Sequence, residues 1–494
     1  MTRRRAGNPG LRRPSRRDGQ TSYRVSIKTG RGLAFLVLRQ HDLSGRFLSE
    51  LFAELDESHS LSRQERGLAV DIAAGVIRRR RTIDLLLQLL VERPRADVEP
   101  DLWCLLQVGA VQLVFGRTPQ HAAVHATVEL ARTSGLDRWA AFANGVLRNL
   151  GRLLTETTVG EPARNALPAA DGQYLQLATD VFSCPVTNPA DYFGEAFSMP
   201  RAIARRWHGR MAQDDLVTAG FHSHQPPAIV LRVNPLRATA AGIIEALDAQ
   251  GIATGLGATD EAVRLVSSAR VESLPGYSEG YWSVQDESAM EAARMLNPVP
   301  GETILDLCAA PGGKTTHLAE LSGDRAKIVA CDVNERRLQR VTENALRLKL
   351  SSITAVSIHR DGDGIPDAAF DAALVDAPCS NSGVFARRPE ARWRFREADL
   401  AELRQLQTRL LMTAFDHVRP GGRIVYSTCS IEPEETTQLV HALVEAVPAM
   451  TLQAERLLLP GQPADGGYIA LLRRSPISEV SFTSVGADKA GPVP

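Results

Sequence analysis

From Gly32 to about Leu154 the apolar residues recur at helical spacing. Phe47, Leu51 and Leu55 stand four apart, and the runs Ile83–Val91 and Leu102–Phe115 are apolar on most of a helix circumference. Pro94, Pro100 and Pro119 punctuate the run, so residues 31–154 are predicted to form an all-α bundle. Arg78–Arg81 is a four-charge run inside it, read first as a solvated face and second as a phosphate contact. From Thr155 to Gly172 the period vanishes among Thr, Glu, Gly and Pro, and residues 155–189 read as a linker. Residues 190–280 resume as a small α/β domain. Ile229–Asn234 is a strand there, and Arg201, Arg205 and Arg206 share a helix with Trp207, a basic face suited to RNA.

From residue 281 to 474 strands alternate with helices. Thr303–Cys308, Lys327–Asp332, Ile353–His359, Asp371–Asp376 and Arg423–Ser427 are apolar runs, separated by helices at 315–321, 334–349 and 400–417. Apolar strands alternating with helices predict a doubly wound, Rossmann-like parallel sheet covered on both faces. Residues 1–30 are a basic arm, the chain up to Arg31 carrying ten Lys/Arg against the single acid Asp18; residues 475–494 are a tail.

Composition narrows the class. Lys plus Arg and Asp plus Glu are each 57, so no global basic field marks a nucleic-acid partner. Only five lysines stand against 52 arginines, which makes a lysine inside a motif conspicuous. Six cysteines without a CxxC pair exclude a disulfide scaffold and a zinc ribbon, and no metal is expected. With no membrane-length apolar stretch and no h-region after the basic N-terminus, the chain is expected to be a cytoplasmic monomer.

In a doubly wound sheet, ligands lie beyond the carboxyl ends of the strands, where strand order reverses. The turn after the first strand, Cys308-Ala309-Ala310-Pro311-Gly312-Gly313-Lys314, brings bare backbone to a helix N-terminus. Cys308 stands where an ATP-binding loop needs glycine, so an ATPase is disfavoured. Asp332, Asp361 and Asp376 end or follow the next three strands, and such a set describes a nucleoside pocket. Asp376-Ala-Pro-Cys379-Ser and Ser427-Thr-Cys429-Ser then put two cysteines beside one cleft. Two thiols beside a nucleoside pocket suit methylation of cytosine C5. A thiolate adds at C6, the enamine C5 takes a methyl group from a sulfonium donor, and a base removes the C5 proton so that the thiolate leaves. Asp376 is placed to stabilise the adduct at N3 and the amino group. Cys104, Cys184 and Cys331 read as inert buried thiols.

The stretches Asp306–Thr315, Asp376–Gly383, Arg388–Trp393 and Tyr426–Glu435 resemble the Sun/Fmu family of RNA cytosine-C5 methyltransferases. Glu65–Ala69, Gly75–Arg78 and Phe142–Arg148 are similar to the NusB-like RNA-binding domain that precedes the catalytic domain in the family's small-subunit rRNA enzymes. The resemblance implies an S-adenosyl-L-methionine donor held by Cys308–Lys314, Asp332, Asp361 and Asp376, with Cys429 the nucleophile and Cys379 assisting product release. It implies RNA, most specifically small-subunit rRNA, as partner. DNA enzymes use a Pro-Cys after the fourth strand, here Pro378-Cys379, but lack the second Thr-Cys-Ser, which favours Cys429. The sequence departs from the family pattern in two places: Asp363 competes with Asp361, and Thr436-Thr437 replace a usual Asn. Arg387, Arg388, Arg392, Trp393 and Arg394 are expected to hold phosphate and stack a base. A non-catalytic RNA-binding protein with a vestigial methyltransferase domain is the alternative.

Overall fold

The computed structural model describes residues 28–56, 61–170, 172–266, 270–360, 362–461 and 464–476. The basic arm up to residue 27, Asp361 and the tail beyond residue 476 therefore lie outside the described residues. The chain divides into two compact units, residues 1–73 with 90–151, and residues 74–89 with 152–494.

The first unit is helical, as its apolar period predicts. It holds α1 (Gly30–Ser44), α2 (Leu48–Asp56), the start of α3 (Arg63–Gln88), α4 (Pro100–Phe115), α5 (Gln120–Thr133) and most of α6 (Ala140–Leu153). The Thr29 side chain caps α1 by accepting from Gly32 N, and Gly45 ends it with a left-handed φ of 69°. Helix α4 opens on a proline and is buried almost all round. A Cβ at Gly109 would sit 2.5 Å from Leu147 Cδ1, so this glycine lets α4 and α6 approach.

The second unit takes over α3 at Ala74. The predicted linker is instead folded: β1 (Leu154–Val159), β2 (Ala166–Pro168) and β3 (Tyr174–Leu177) form an antiparallel sheet in the order β1-β3-β2. Its anchors, Leu167, Tyr174 and Leu177, are too few to print a period, and backbone pairing supplies the rest. Next come α7 (Pro189–Ala196), α8 (Arg201–His208), α9 (Gln213–His224), β4 (Ile229–Val233), α10 (Ala240–Asp248), β5 (Thr254–Leu256), β6 (Ala262–Leu265), β7 (Trp282–Val284) and α11 (Glu287–Leu296). Strands β5-β6-β4-β7 make an antiparallel sheet whose core includes Leu231, Val263 and Trp282.

The remaining strands are β8 (Thr303–Leu307), β9 (Lys327–Asp332), β10 (Ile353–Ser357), β11 (Phe370–Asp376), β12 (Val418–Thr428), β13 (Met450–Leu458) and β14 (Gly467–Arg474). They alternate with α12 (Gly313–Leu321), α13 (Glu335–Leu348), α14 (Ala391–Arg394), α15 (Asp399–His417) and α16 (Thr437–Ala446). The seven strands run β10-β9-β8-β11-β12-β14-β13, parallel through β12 and antiparallel thereafter. Alternate residues feed two cores. Leu305, Leu307 and Val375 go to one face, Ile304, Ala372 and Leu374 to the other, which is why these strands read as unbroken apolar runs. Strand order reverses between β8 and β11, at the predicted place. No helix among the described residues is long and apolar enough to cross a membrane.

Much of the basic signal turns out to be structural. Arg78 and Arg79 are buried, neither solvated nor open to phosphate. Arg78 Nη2 donates to Ala386 O (3.1 Å) and Arg79 Nη1 to Pro168 O (2.9 Å). Trp207 is interior: it stacks on Phe385 at 5.6 Å and donates to Glu432, while Arg206 pairs with Glu432 and Glu434. Arg392, expected to hold phosphate, is fully buried and donates to the carbonyls of Arg78, Ser198, Ser223 and Phe385. Trp393 Nε1 donates to Ile77 O, and Arg387 pairs with Asp286 and Asp465. A guanidinium's planar fork satisfies several buried carbonyls at once, so in an Arg-rich chain arginine staples interior backbone as readily as it binds RNA.

Candidate active site

The glycine turn occupies the switch point. Gly312 has φ 98°, and a Cβ there would stand 3.0 Å from Val341 Cα, so only glycine fits against α13. At Gly313 a Cβ would meet nothing within 4 Å: the backbone opening α12 faces free space. Cys308 also has positive φ (64°); burial, then the charges of Asp332 and Asp376, push its thiol up to about 12, so it stays protonated. Asp332 ends β9 with Oδ2 accepting from Ala310 N (3.2 Å) and Oδ1 from Asn334 N (2.8 Å), tying the second strand end to the turn.

Beneath the turn lies Asp306, which the motif contains but strand-end reasoning passed over. Burial pushes its carboxyl up to about 7, against the bond that its Oδ2 accepts from Thr315 (2.6 Å). Its Oδ1 has no hydrogen-bond partner among the described residues. Lys314 Nζ lies 2.8 Å from Asp376 Oδ2; burial works against the ammonium, but the Asp376 charge and hydrogen bond outweigh it and hold it above its ordinary value. The scarcity of lysine was the signal for this residue. Asp363 is exposed, and its carbonyl accepts from His359 N.

The two cysteines meet. Parallel pairing sets Asp376 against Ser427, so the loops leaving β11 and β12 run side by side and Cys379 Sγ comes to 3.1 Å from Cys429 Sγ, both partly exposed. The hydrogen bond from Cys379 lowers the Cys429 thiol, with Arg388 and Lys314 adding to it against burial and Asp376. The same hydrogen bond, burial and the charges of Cys429 and Glu435 raise Cys379. The pair therefore titrates as one thiolate, at Cys429, and one thiol, at Cys379. Asn381 Oδ1 lies 3.3 Å from Cys429 Sγ and accepts from Arg388 Nη1 at 2.9 Å. Of the expected phosphate-holding segment, Arg388 is the member brought to the thiols; Asn381 gave no sequence signal beyond following Cys379. Cys104 and Cys331 are buried as expected, whereas Cys184 is partly exposed. Among the described residues no His, Cys, Asp or Glu cluster could hold a metal.

Solved structures share this architecture. The crystal structure of PH0851 aligns with a TM-score of 0.71 over 90% of this chain and 98% of its own, at 23% identity. A methyltransferase homolog from Pyrococcus horikoshii aligns with 0.51 over 57% and 97%, at 26% identity. With the glycine turn at the switch point and acids at the strand ends, the fold is that of a methyltransferase whose donor is S-adenosylmethionine.

Sequence relatives narrow the class. The family model for 16S rRNA methyltransferase RsmB/F matches residues 293–467, and that for the NusB family matches residues 28–152. The chain is 33% identical over 422 residues to a probable ribosomal RNA small subunit methyltransferase B of Synechocystis, covering 84% of this chain and 89% of the relative. It is 34% identical over 447 residues to ribosomal RNA small subunit methyltransferase B of Klebsiella pneumoniae, covering 88% and 93%. The chain belongs to the ribosomal RNA small subunit methyltransferase B family, the Sun/Fmu group that its motifs resemble.

Proposed function

We propose that the protein methylates C5 of a cytosine in small-subunit rRNA through a covalent bond between Cys429 and C6. The observation that carries this reading is the 3.1 Å contact between Cys379 Sγ and Cys429 Sγ, with Asp376 and Lys314 beside it. The turn Cys308–Lys314, Asp332, Asp361 and Asp376 hold S-adenosylmethionine. The free space over Gly313 and the unpartnered Asp306 Oδ1 fit a polar ligand there. When bound, the cofactor supplies an electrophilic methyl group at its sulfonium.

The Cys429 thiolate adds to C6 and leaves the C5=C6 electron pair at C5; a donor held by Cys308–Lys314, Asp332, Asp361 and Asp376 would give its methyl group to that carbon as its own carbon–sulfur bond broke, leaving as a neutral thioether. Asp376 accepts from the cytosine amino group and orients the ring, while the Lys314 ammonium, 2.8 Å from its carboxylate, offsets the negative charge shifted into the ring. Once Cys429 is a thioether, it neither takes the Cys379 hydrogen bond nor repels a second anion. Two of the causes holding the Cys379 thiol up are then gone, and Cys379, being partly exposed, can lose its proton to solvent water. As thiolate it removes the C5 proton; that electron pair restores C5=C6 and expels Cys429. The partner is RNA rather than a membrane, and the protein acts in the cytoplasm as a monomer.

The test is a denaturing gel with RNA and cofactor. Cys429→Ala abolishes methylation and any protein–RNA adduct, whereas Cys379→Ala accumulates adduct. Adduct in the Cys429 variant would reverse the two roles, and RNA binding with no methyl transfer by the wild type would favour the non-catalytic alternative.

A further inference from the structure

Glu435 ends the short 3-10 turn after β12 and is fully buried. Its Oε1 accepts from Ser380 N (2.9 Å) and Gln407 Nε2 (3.0 Å), and its Oε2 accepts from the hydroxyls of both Ser380 and Ser430. These donors fill the four lone-pair sites of an ionised carboxylate, and all are neutral. A charge buried without a cation is stable only when hydrogen-bonded this fully. Ser380 follows Cys379 and Ser430 follows Cys429, so one carboxylate grips the residue after each cysteine. The grip is itself held from behind: Tyr426 Oη donates to Glu435 O (2.8 Å), and Gln407 Nε2 also donates to Pro378 O (2.9 Å).

We propose that Glu435 is the positioning residue of the cysteine pair. By bonding the serine after each cysteine it fixes the separation of the two loops, and through it the contact between the two sulfurs. This deepens the cytosine-C5 reading and rests on it for its catalytic consequence, but the spacing of the thiols can be tested without RNA. Its charge has a second effect, helping to keep the proton on Cys379. The other charged groups facing the thiols are Asp376, Lys314 and Arg388.

Phenylarsine oxide reads the spacing directly. Its arsenic exchanges oxygen for two sulfurs, breaking two S–H bonds, forming two As–S bonds and releasing the oxygen as water, and only adjacent thiols close the ring. Four variants separate shape from charge. Glu435→Gln keeps the bridge, because the serine hydroxyls can rotate to accept from its amide; Glu435→Ala and Glu435→Asp break it. Ser380→Ala with Ser430→Ala breaks it from the other side, should Glu435→Ala not fold. Wild type and Glu435→Gln are expected to take up one arsenical at Cys379 and Cys429, with Cys379→Ala as the control. In the bridge-breaking variants capture slows at least about 10-fold and kcat falls about 100-fold, the loss expected of a displacement near 1 Å. S-Adenosylmethionine binding stays at the wild-type value. Arsenical capture and kcat both unchanged in folded Glu435→Ala would overturn the proposal. Slowed capture, in a protein whose wild type does not methylate cytosine C5, would overturn the functional reading and leave the clamp standing.

Discussion

Arg232 on β4 is fully buried and reaches into the cofactor turn. Its guanidinium bonds Glu320 through both carboxylate oxygens (2.9 Å each), Thr316 Oγ1 (3.0 Å), the Gly313 carbonyl (2.6 Å) and Gln285. In Arg232→Met the side chain keeps its volume but leaves Glu320 buried, with the more weakly coupled Arg347 as the cation still acting on it. Removing one partner of such a pair costs about 3–5 kcal/mol, because the remaining charge is left without its partner. At roughly 2 °C per kcal/mol for a unit of this size, Tm should fall by about 6–10 °C. The deficit has a pH signature. Burial pushes the Glu320 carboxyl up and Arg232 opposes it, so removing Arg232 raises it further. A raised folded-state value means that stability is present at low pH and lost as pH rises through it. The variant should therefore lie closer to wild type at pH 5.5 than at pH 8. Because Gly313 and Thr316 open α12, S-adenosylmethionine should bind about tenfold more weakly, or 1.4 kcal/mol. Urea denaturation at both pH values and calorimetric titration of the cofactor give the numbers. A loss below about 1 kcal/mol at pH 8, or a deficit that grows toward acid, would refute the assignment of Arg232 as the buried partner of Glu320.

The adjacent glycines should behave oppositely. Gly312→Ala, at φ 98° and against the Val341 backbone, should destabilise by about 1–3 kcal/mol, whereas Gly313→Ala should leave stability within about 1 kcal/mol and lose cofactor affinity. Denaturation paired with cofactor titration separates the two, and a stable, tightly binding Gly313→Ala would move the cofactor elsewhere. His224 is held well below its ordinary value by burial and by Arg79 and Arg392, so its contribution to stability is present above pH 6.5 and lost as pH falls. Between pH 7 and 5.5 the wild type should lose about 1 kcal/mol more than His224→Gln, which keeps a donor for Phe197 O. Equal acid slopes in urea denaturation would place a charged imidazole in the native state.

The unbroken apolar strands, their alternation with helices, the glycine turn and the strand-end acids were all readable along the chain. Each depends on residues adjacent in sequence, whose period or spacing states their environment. The same locality made Cys379 and Cys429 recognisable as a pair, because each sits at the end of its own strand. Other features belong to the tertiary structure alone. Whether an arginine faces solvent or carbonyls depends on what packs over it: Arg392 became a buried staple, and Arg388, four residues earlier, came to the thiols. Nor could periodicity reveal the sheet of β1–β3, whose stability lies in backbone pairing between short segments. Glu435 became a clamp because parallel pairing of β11 and β12 aligned two serines 50 residues apart. Residue type and local spacing specified which chemistry the chain carries; chain closure in three dimensions specified which charges it buries and what holds the reacting atoms in register.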